Sequence, residues 1–326
     1  MNHLVITRLM IGVSRPGAFA LHGRVLLETT YRSMVAQTVE DFQWVVVTDD
    51  LIDKASRRMI EKRFAKHPNF HLVTMNSFTK DGVGLDVVSL CERFLGTTLN
   101  VFTTRIDDDD ALRTDFLEQA RRTIIESGAA FASFSQRHGV AVASEHLRHG
   151  PTVSREGASA GMTVLSPDVR GHHVHSFNHR RVHSRVAGLG GTAIHAEDPG
   201  PHFLSGYHAE SDSRERARPS RVQRRLDSYA VSDPQDAAYR ALLASFGLRR
   251  DFDARISTIR KEYIDWKPPI FTEAPNQQRA FGRLGLKKQY VSMAKPLWDK
   301  LETAKPADRA RIEMQLHLIR QAFYLV

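Results

Sequence analysis

The stretch Leu99-Asn100-Val101-Phe102-Thr103-Thr104-Arg105-Ile106-Asp107-Asp108-Asp109-Asp110 decides how this chain is read. Its first eight residues are mostly apolar or β-branched, the composition of a strand buried on both faces. Its last four are consecutive carboxylates. Like charges side by side repel unless a cation or a solvated loop relieves them. A solvated turn capping the next helix needs only one aspartate. Four of them directly after a buried strand point instead to oxygen ligands for Mg²⁺ or Mn²⁺. Such an ion, held by one or two carboxylates and completed by water and phosphate oxygens, binds a diphosphate and stabilises it as a leaving group.

Working outward, the first half alternates strand and helix patterns. Residues 4–13 and 42–48 read as buried strands, the second ending at Asp49-Asp50. Leu27, Tyr31, Met34 and Val35 predict a helix over 27–37. A charged helix is expected over 52–66, stopped by Pro68-Asn69, and a third strand over 70–75. Residues 86–95 read as a helix capped at Gly96. Phe116, Leu117, Ala120 and Ile124 mark the helix after the acidic run. Strands separated by helices imply a parallel sheet covered on both faces, with ligands outside the carboxyl ends of its strands. Asp49-Asp50 and Asp107 to Asp110 both fall there.

Residues 128–227 are less regular, with strand-like pieces at 129–135 and 161–165 and most of the histidines. Long irregular segments in an enzyme carry acceptor binding and lids. Helical periodicity returns at 236–246 and 284–295, and Ile312, Leu316, Ile319 and Phe323 form an apolar stripe on a last helix beginning near Pro306. The stripe reads as a helix docked on its own domain rather than a membrane anchor. The expected division is a catalytic domain over 1–230 with a helical extension over 231–326 packed on it.

The chain has 326 residues and a formal charge of +9, with arginines clustered at 214, 216, 218, 221, 224 and 225. That balance favours polyanionic partners: nucleotide phosphates, an anionic glycan, a membrane surface or nucleic acid. Cys91 is the only cysteine, which excludes an internal disulfide and a cysteine-based zinc site and fits a reducing compartment. No apolar stretch is long enough to span a bilayer. The expected setting is cytoplasmic, with peripheral contact at the inner face of the membrane as an option.

The order of these features resembles a GT-A glycosyltransferase of the family 2 type. Residues 27–37, with Ser33 and Gln37-Thr38, resemble a helix ending Ser-Leu-x-x-Gln-Thr. Residues 42–50 resemble the next strand ending Asp-Asp, and Asp107 to Asp110 resemble the Asp-x-Asp-Asp (DXD) motif. Ile6-Thr7-Arg8 and Thr103-Thr104-Arg105 look like bacterial rhamnosyltransferase-type proteins. The resemblance implies an α/β GT-A fold: a Rossmann-like, mostly parallel sheet flanked by helices, with a C-terminal helical extension. It implies a metal-dependent, inverting transferase that moves a sugar, rhamnose by the narrower likeness, from a nucleotide-diphosphate donor to a hydroxyl of a glycan or lipid-linked acceptor. Asp49 would lie near the base, Asp107 near the ribose or a metal-bound water, Asp109 on the metal, and Asp108 and Asp110 in support. Arg8 and Arg105 would reach phosphate oxygens.

Members of this class carry a glycine-rich loop, an x-Glu-Asp motif and a histidine that completes the metal shell. Here Gly188 to Gly191 precede Ala196-Glu197-Asp198, and His202 and His208 follow. Asp198 is the expected base, with Glu197 second, and His208 the expected metal histidine, which suits Mn²⁺ better than Mg²⁺. Pro199-Gly200-Pro201 argue against a helix start there. Among the other histidines, His175, His179 and His183 fall at helical spacing and His173 and His175 at strand spacing. They read as histidines around an acceptor groove in preference to a zinc site. Two rival readings stand beside the transferase. One is a phosphoryl-transfer or nuclease-type enzyme with a second metal at Asp49-Asp50. The other is a non-catalytic, basic polyanion-binding protein, although no module specific for nucleic acid is present.

Overall fold

The computed structural model describes residues 1–11, 18–50, 52–75, 85–153, 160–176, 181–196, 198, 200–206 and 226–265, with scattered positions between 293 and 316. Twelve strands run in chain order: β1 His3–Leu9, β2 Gln43–Asp49, β3 Phe70–Met75, β4 Leu99–Arg105, β5 Asp110–Leu112, β6 Ala132–Ser135, β7 His138–Ala143, β8 Arg148–Val153, β9 Met162–Asp168, β10 Thr192–His195, β11 Phe203–Gly206 and β12 Ala230–Val231. The helices are α1 Ala18–Glu28, α2 Thr30–Val35, α3 Lys54–Phe64, α4 Val87–Leu95, α5 Phe116–Glu126, α6 Val182–Gly188, α7 Ala237–Ser245 and α8 Phe252–Asp265.

The main sheet has the order β10-β6-β9-β4-β1-β2-β3. All its pairings are parallel except the two made by β9. This is an α/β architecture, a mostly parallel sheet flanked by helices, as expected. The strands β1, β2 and β4 form because each is a short apolar run with buried residues on both faces, whereas β3, at the sheet edge, is buried only at Phe70. Val5, Leu9, Trp44, Val46 and Phe102 pack under α1, α3 and α5. Leu4, Ile6, Val45, Val47 and Val101 pack under α4. Helix starts and stops follow local chemistry. The Asp53 and Asp86 side chains cap α3 and α4 by accepting from Ser56 N at 2.8 Å and Ser89 N at 3.0 Å. Gly96 ends α4 with φ 68°, a conformation that glycine adopts without a Cβ penalty.

A second sheet, β12-β8-β7-β11-β5, leans on α1, α7 and α8 through Leu21, Val25, Val142, Leu204, Leu243 and Phe246. Its shortest strand, β5, starts at the last aspartate of the run. The acidic run is thus the junction between the two sheets.

Several boundaries differ from the sequence reading. The first strand ends at Leu9, because Met10 adopts φ 54°. The helix expected over 27–37 is two helices, broken at Thr29, whose φ −111° and ψ −85° are not helical. The strand expected from 129 begins at Ala132. The stripe on the last helix is described only at Ile312, which is buried, and Leu316, which packs against the main core. Residues 284–292, the arginine cluster at 214–225 and His208 lie outside the described residues. Among the described residues no helix is long and apolar enough to cross a membrane.

Candidate active site at the strand ends

The acidic run sits where β1, β2 and β4 end. The Ile106 amide still donates to the Ile6 carbonyl at 3.2 Å, so the chain leaves the sheet only at Asp107. Asp110 N then donates to Asp107 O at 3.4 Å, which closes a turn. The Thr30 hydroxyl, in the first turn of α2, lies 2.8 Å from Asp110 O and 3.1 Å from Asp107 O. The break at Thr29 therefore brings a hydroxyl to the two carbonyls that bracket the run.

Each aspartate has a different environment. Asp107 accepts from Arg105 Nη2 at 2.9 Å and Nε at 3.2 Å. Asp108 pairs with His22 Nδ1 of α1 at 3.0 Å. Burial raises the Asp108 carboxyl above the usual range, against the opposing pull of His22. Asp110 is buried, opposite Ser205 of β11, with which it hydrogen-bonds. Burial and then the charges of Asp109 and Asp107 push its carboxyl well above the usual range. Asp109 lies against Gly206 at the end of β11, where a Cβ would stand 3.1 Å from its carbonyl oxygen and 3.3 Å from Oδ2. The absence of a side chain at Gly206 leaves Asp109 its room.

The donor set is hard oxygen in an under-compensated acidic turn, which fits Mg²⁺ or Mn²⁺. Among the described residues no three His, Cys, Asp or Glu side chains converge on one point. The fit is therefore to a cation held by one or two carboxylates and completed by water and ligand oxygens.

On one face of the main sheet the same rim gathers other expected residues. Side chains alternate along a strand, so Arg8 shares the face of Leu4 and Ile6, Asp49 that of Val45 and Val47, and Arg105 that of Val101. Arg8 pairs in register with Val47, one row before Asp49. It lies in electrostatic range of Arg105, Asp107 and Asp108. Arg8, Asp49, Arg105 and the acidic run are brought together.

Asp198 lies just beyond the end of β10 and is half exposed. It accepts from Gly200 N at 2.9 Å and Arg113 Nη1 at 3.1 Å, and its backbone oxygen lies 3.0 Å from His202 Nε2. The Gly200 amide and then Arg113 hold its carboxyl below the usual range. Arg113 follows β5, so these contacts tie Asp198 to the end of β5 away from Asp109. Glu197 lies outside the described residues.

The histidine spacing is corrected. His173 and His175 lie in turns rather than a strand, and α6 starts only at Val182, so His175 and His183 share no helix face. The reason is local. His173 N bonds Ser176 Oγ at 2.9 Å and Val174 N bonds Thr103 Oγ1 at 3.0 Å, so these amides are not available to a helix. His179 lies outside the described residues. His183 is buried between Ser133 and Ser135. A cleft of about 590 Å³ opens beside α6, lined in part by His172, Ser176, Arg181 and Arg185. His22, Thr30 and Arg113 were not expected at the site. Each arrives through a long-range contact, and nothing in its neighbours along the chain marks it.

With this geometry in place, comparison with known proteins gives the family. The model described as "Putative rhamnosyl transferase" matches residues 21–220. The chain belongs to that family. It is a glycosyltransferase. The matched segment contains both sheets' strands from β2 to β11 and the whole acidic run. Among solved structures the chain is similar to S. aureus TarS 1–349 in complex with UDP-GlcNAc, at 12% identity and TM-score 0.44, covering 100% of this chain and 90% of that one. It is also similar to S. aureus TarS 1–349, at 14% identity and TM-score 0.38, covering 100% and 89%. No curated protein matches.

Proposed function

We propose that this glycosyltransferase moves a sugar, rhamnose being the first candidate, from a nucleotide-diphosphate donor to a hydroxyl of a glycan or lipid-linked acceptor, with inversion and with Mn²⁺ or Mg²⁺. The observation that carries the reading is the convergence of Arg8, Asp49 and Arg105 with Asp107 to Asp110 on one strand-end rim. Guanidiniums beside carboxylates suit a ligand that is itself anionic and metal-chelating, which a nucleoside diphosphate is.

In this reading Asp109 and Asp107 would hold the metal, with His208 as the histidine ligand. The metal, when bound, neutralises the diphosphate as it leaves. Asp49 orients the base, Asp108 keeps His22 in place, and Arg8 and Arg105 hold phosphate oxygens. Asp198 is the proposed base, with Glu197 second. Its carboxyl is ionised at neutral pH and half exposed, so it can accept a proton from an incoming hydroxyl, while the Gly200 amide and Arg113 lower its basicity. The arginine-lined cleft beside α6 is the proposed acceptor side, and contact with a membrane surface belongs to that side of the reaction.

The test is a thermal-shift series with nucleotide sugars, with and without Mn²⁺. A matching donor at about 100 times its Kd adds about 2.7 kcal/mol of stability. That gain is expected only with metal at full strength, and is expected to vanish in Asp109→Asn with the fold intact. Stabilisation by oligonucleotides but by no nucleotide sugar overturns the reading.

A further inference from the structure

His175 is a half-buried residue that the donor site leaves unexplained. Its ring nitrogen Nε2 is shielded from solvent and has no hydrogen-bond partner. Buried polar atoms are almost always paired, and an orphan calls for a partner: a water, an ion or a ligand atom. The surroundings show which kind. Val174 N bonds the Thr103 hydroxyl at 3.0 Å, which pins the segment onto β4 on the face that carries Arg105. Val174 itself packs on Met162 and Val164 of β9, directly opposite Arg105 and Thr103. Arg8 shares that face from the neighbouring strand β1. The His175 ring therefore lies on the same face as the two guanidiniums that end β1 and β4, within electrostatic range of both.

From this placement we propose that His175, Arg8 and Arg105 form a metal-independent anion cradle in which His175 Nε2–H donates to a phosphoryl oxygen. The proposal deepens the donor reading and rests on it for the identity of the anion, the diphosphate of the donor. An orphaned acceptor next to two guanidiniums would have been taken up by one of them. An orphaned N–H there has only an anion to serve. Burial, and then the charges of Arg105 and Arg8, depress the basicity of His175 and keep its ring neutral. A neutral ring with its proton on Nε2 adds a directional donor without adding a third mutually repelling cation. His175 is thus a positioning residue for the diphosphate.

The experiment uses the full chain and inorganic pyrophosphate in EDTA, followed by calorimetry and thermal shift. Wild type binds pyrophosphate without metal. His175→Phe keeps the ring volume and removes the donor. It is expected to weaken pyrophosphate binding about tenfold, the effect of one hydrogen bond to a charged group, while its ligand-free melting temperature stays equal to or above that of wild type. His175→Gln, which restores an N–H at similar reach, is expected within about threefold of wild type. The second arm takes the member of UDP, GDP and dTDP that stabilises wild type most with Mn²⁺. His175→Phe weakens that diphosphate by a similar factor and leaves the parent nucleoside unchanged.

Three results overturn the cradle: no pyrophosphate binding in EDTA, equal affinity in wild type and His175→Phe, or a glutamine variant no better than phenylalanine. A clearly lower ligand-free melting temperature in His175→Phe also overturns it, since the nitrogen would then serve the fold. If pyrophosphate behaves as expected but none of the nucleoside diphosphates binds, the donor reading falls and the cradle stands.

Discussion

Asp109 and Gly206 define the site at the scale of single residues. Adding a Cβ at position 206 puts carbon 3.1 Å from Asp109 O and 3.3 Å from its Oδ2, tighter than ordinary van der Waals contact. Asp109, its backbone carbonyl as well as its side chain, must then give way by a few tenths of an ångström. Gly206→Ala is expected to fold normally and to weaken Mn²⁺ binding roughly three- to tenfold, because a site holds its ion only within about 0.5 Å of the productive geometry. Mn²⁺ titration of donor-dependent stabilisation reads this directly, and an unchanged titration removes Asp109 from the metal. Asp198 has a competing structural explanation, since its partners are Arg113, Gly200 and His202. Asp198→Asn leaves the Gly200 contact possible and weakens the Arg113 pair, which at an exposed position is worth under about 1 kcal/mol. If Asp198 is the base, donor binding stays and transfer falls by roughly 10²- to 10⁴-fold. Equal loss of donor binding and transfer would make Asp198 a strut for Arg113. The aspartates themselves were legible in the sequence, because carboxylates at a strand end carry their chemistry with them. His22 and Thr30 were not, because what makes them matter is contact with Asp108 and with the carbonyls of Asp107 and Asp110 some 80 residues away.

At the level of elements, α6 lies on β6 through a buried histidine. His183 hydrogen-bonds Ser133 and Ser135 and lies beside His195, with ring centroids 4.3 Å apart. Burial, and then His195, lowers its pKa from the ordinary 6.5 to about 4. A histidine with a depressed folded pKa contributes stability above the unfolded value, and that contribution is lost as pH falls through 6.5 toward 4. By pH 5 the loss is about 2 kcal/mol from this group. Urea unfolding at pH 7 and pH 5 is expected to show a smaller difference in His183→Asn than in wild type, even if the variant is less stable at both. An equal difference would place the titration elsewhere, for instance at His173, which burial also lowers to about 4. Elements were legible where one local pattern sufficed. The apolar runs of β1 to β4 and the cap at Gly96 are of this kind. The second sheet was not, because all its pairings except the β7–β8 hairpin are long-range. β11 joins β5 and β7, and Gly139 and Gly150 are covered by the rings of Phe203 and Tyr229. No residue within β5 signals a strand of three residues. The helix α8 did leave a signal, with Phe252, Ile256 and Ile259 buried at helical spacing, among enough charges to hide it.

Across the whole molecule the question is whether the helices beyond residue 231 are an appendage or part of the catalytic core. Leu243 of α7, Phe246 at its C-cap, and Ile256 and Ile259 of α8 share one buried cluster with Leu21 and Val25 of α1, Ala111 of β5 and Leu204 of β11. Those two strands carry Asp110 and end at Gly206. The backbone continues the link, since Thr114 N donates to Ser245 O at 2.9 Å and Thr38 N to Thr114 O at 2.8 Å. Ion pairs between α1 and α8, Arg24 with Glu262 and Arg255 with Glu28, also cross the contact. They lie at the surface, where such pairs are worth at most about 1 kcal/mol, so the apolar cluster decides how tightly the parts are coupled. Phe246 is fully buried, and truncation of such a ring costs about 3–5 kcal/mol. Phe246→Ala is therefore expected to lower the stability of the entire unit. Urea unfolding followed by far-ultraviolet circular dichroism should shift by that amount and remain one transition. Donor binding with Mn²⁺ should be lost at the same urea concentration, because the cluster supports the strands on both sides of Asp109. An appendage predicts the opposite: an early partial transition with donor binding preserved through it. Observation of that early phase would separate residues 231–265 from the catalytic unit, and a single coincident loss would make the helical extension the floor of the acidic rim.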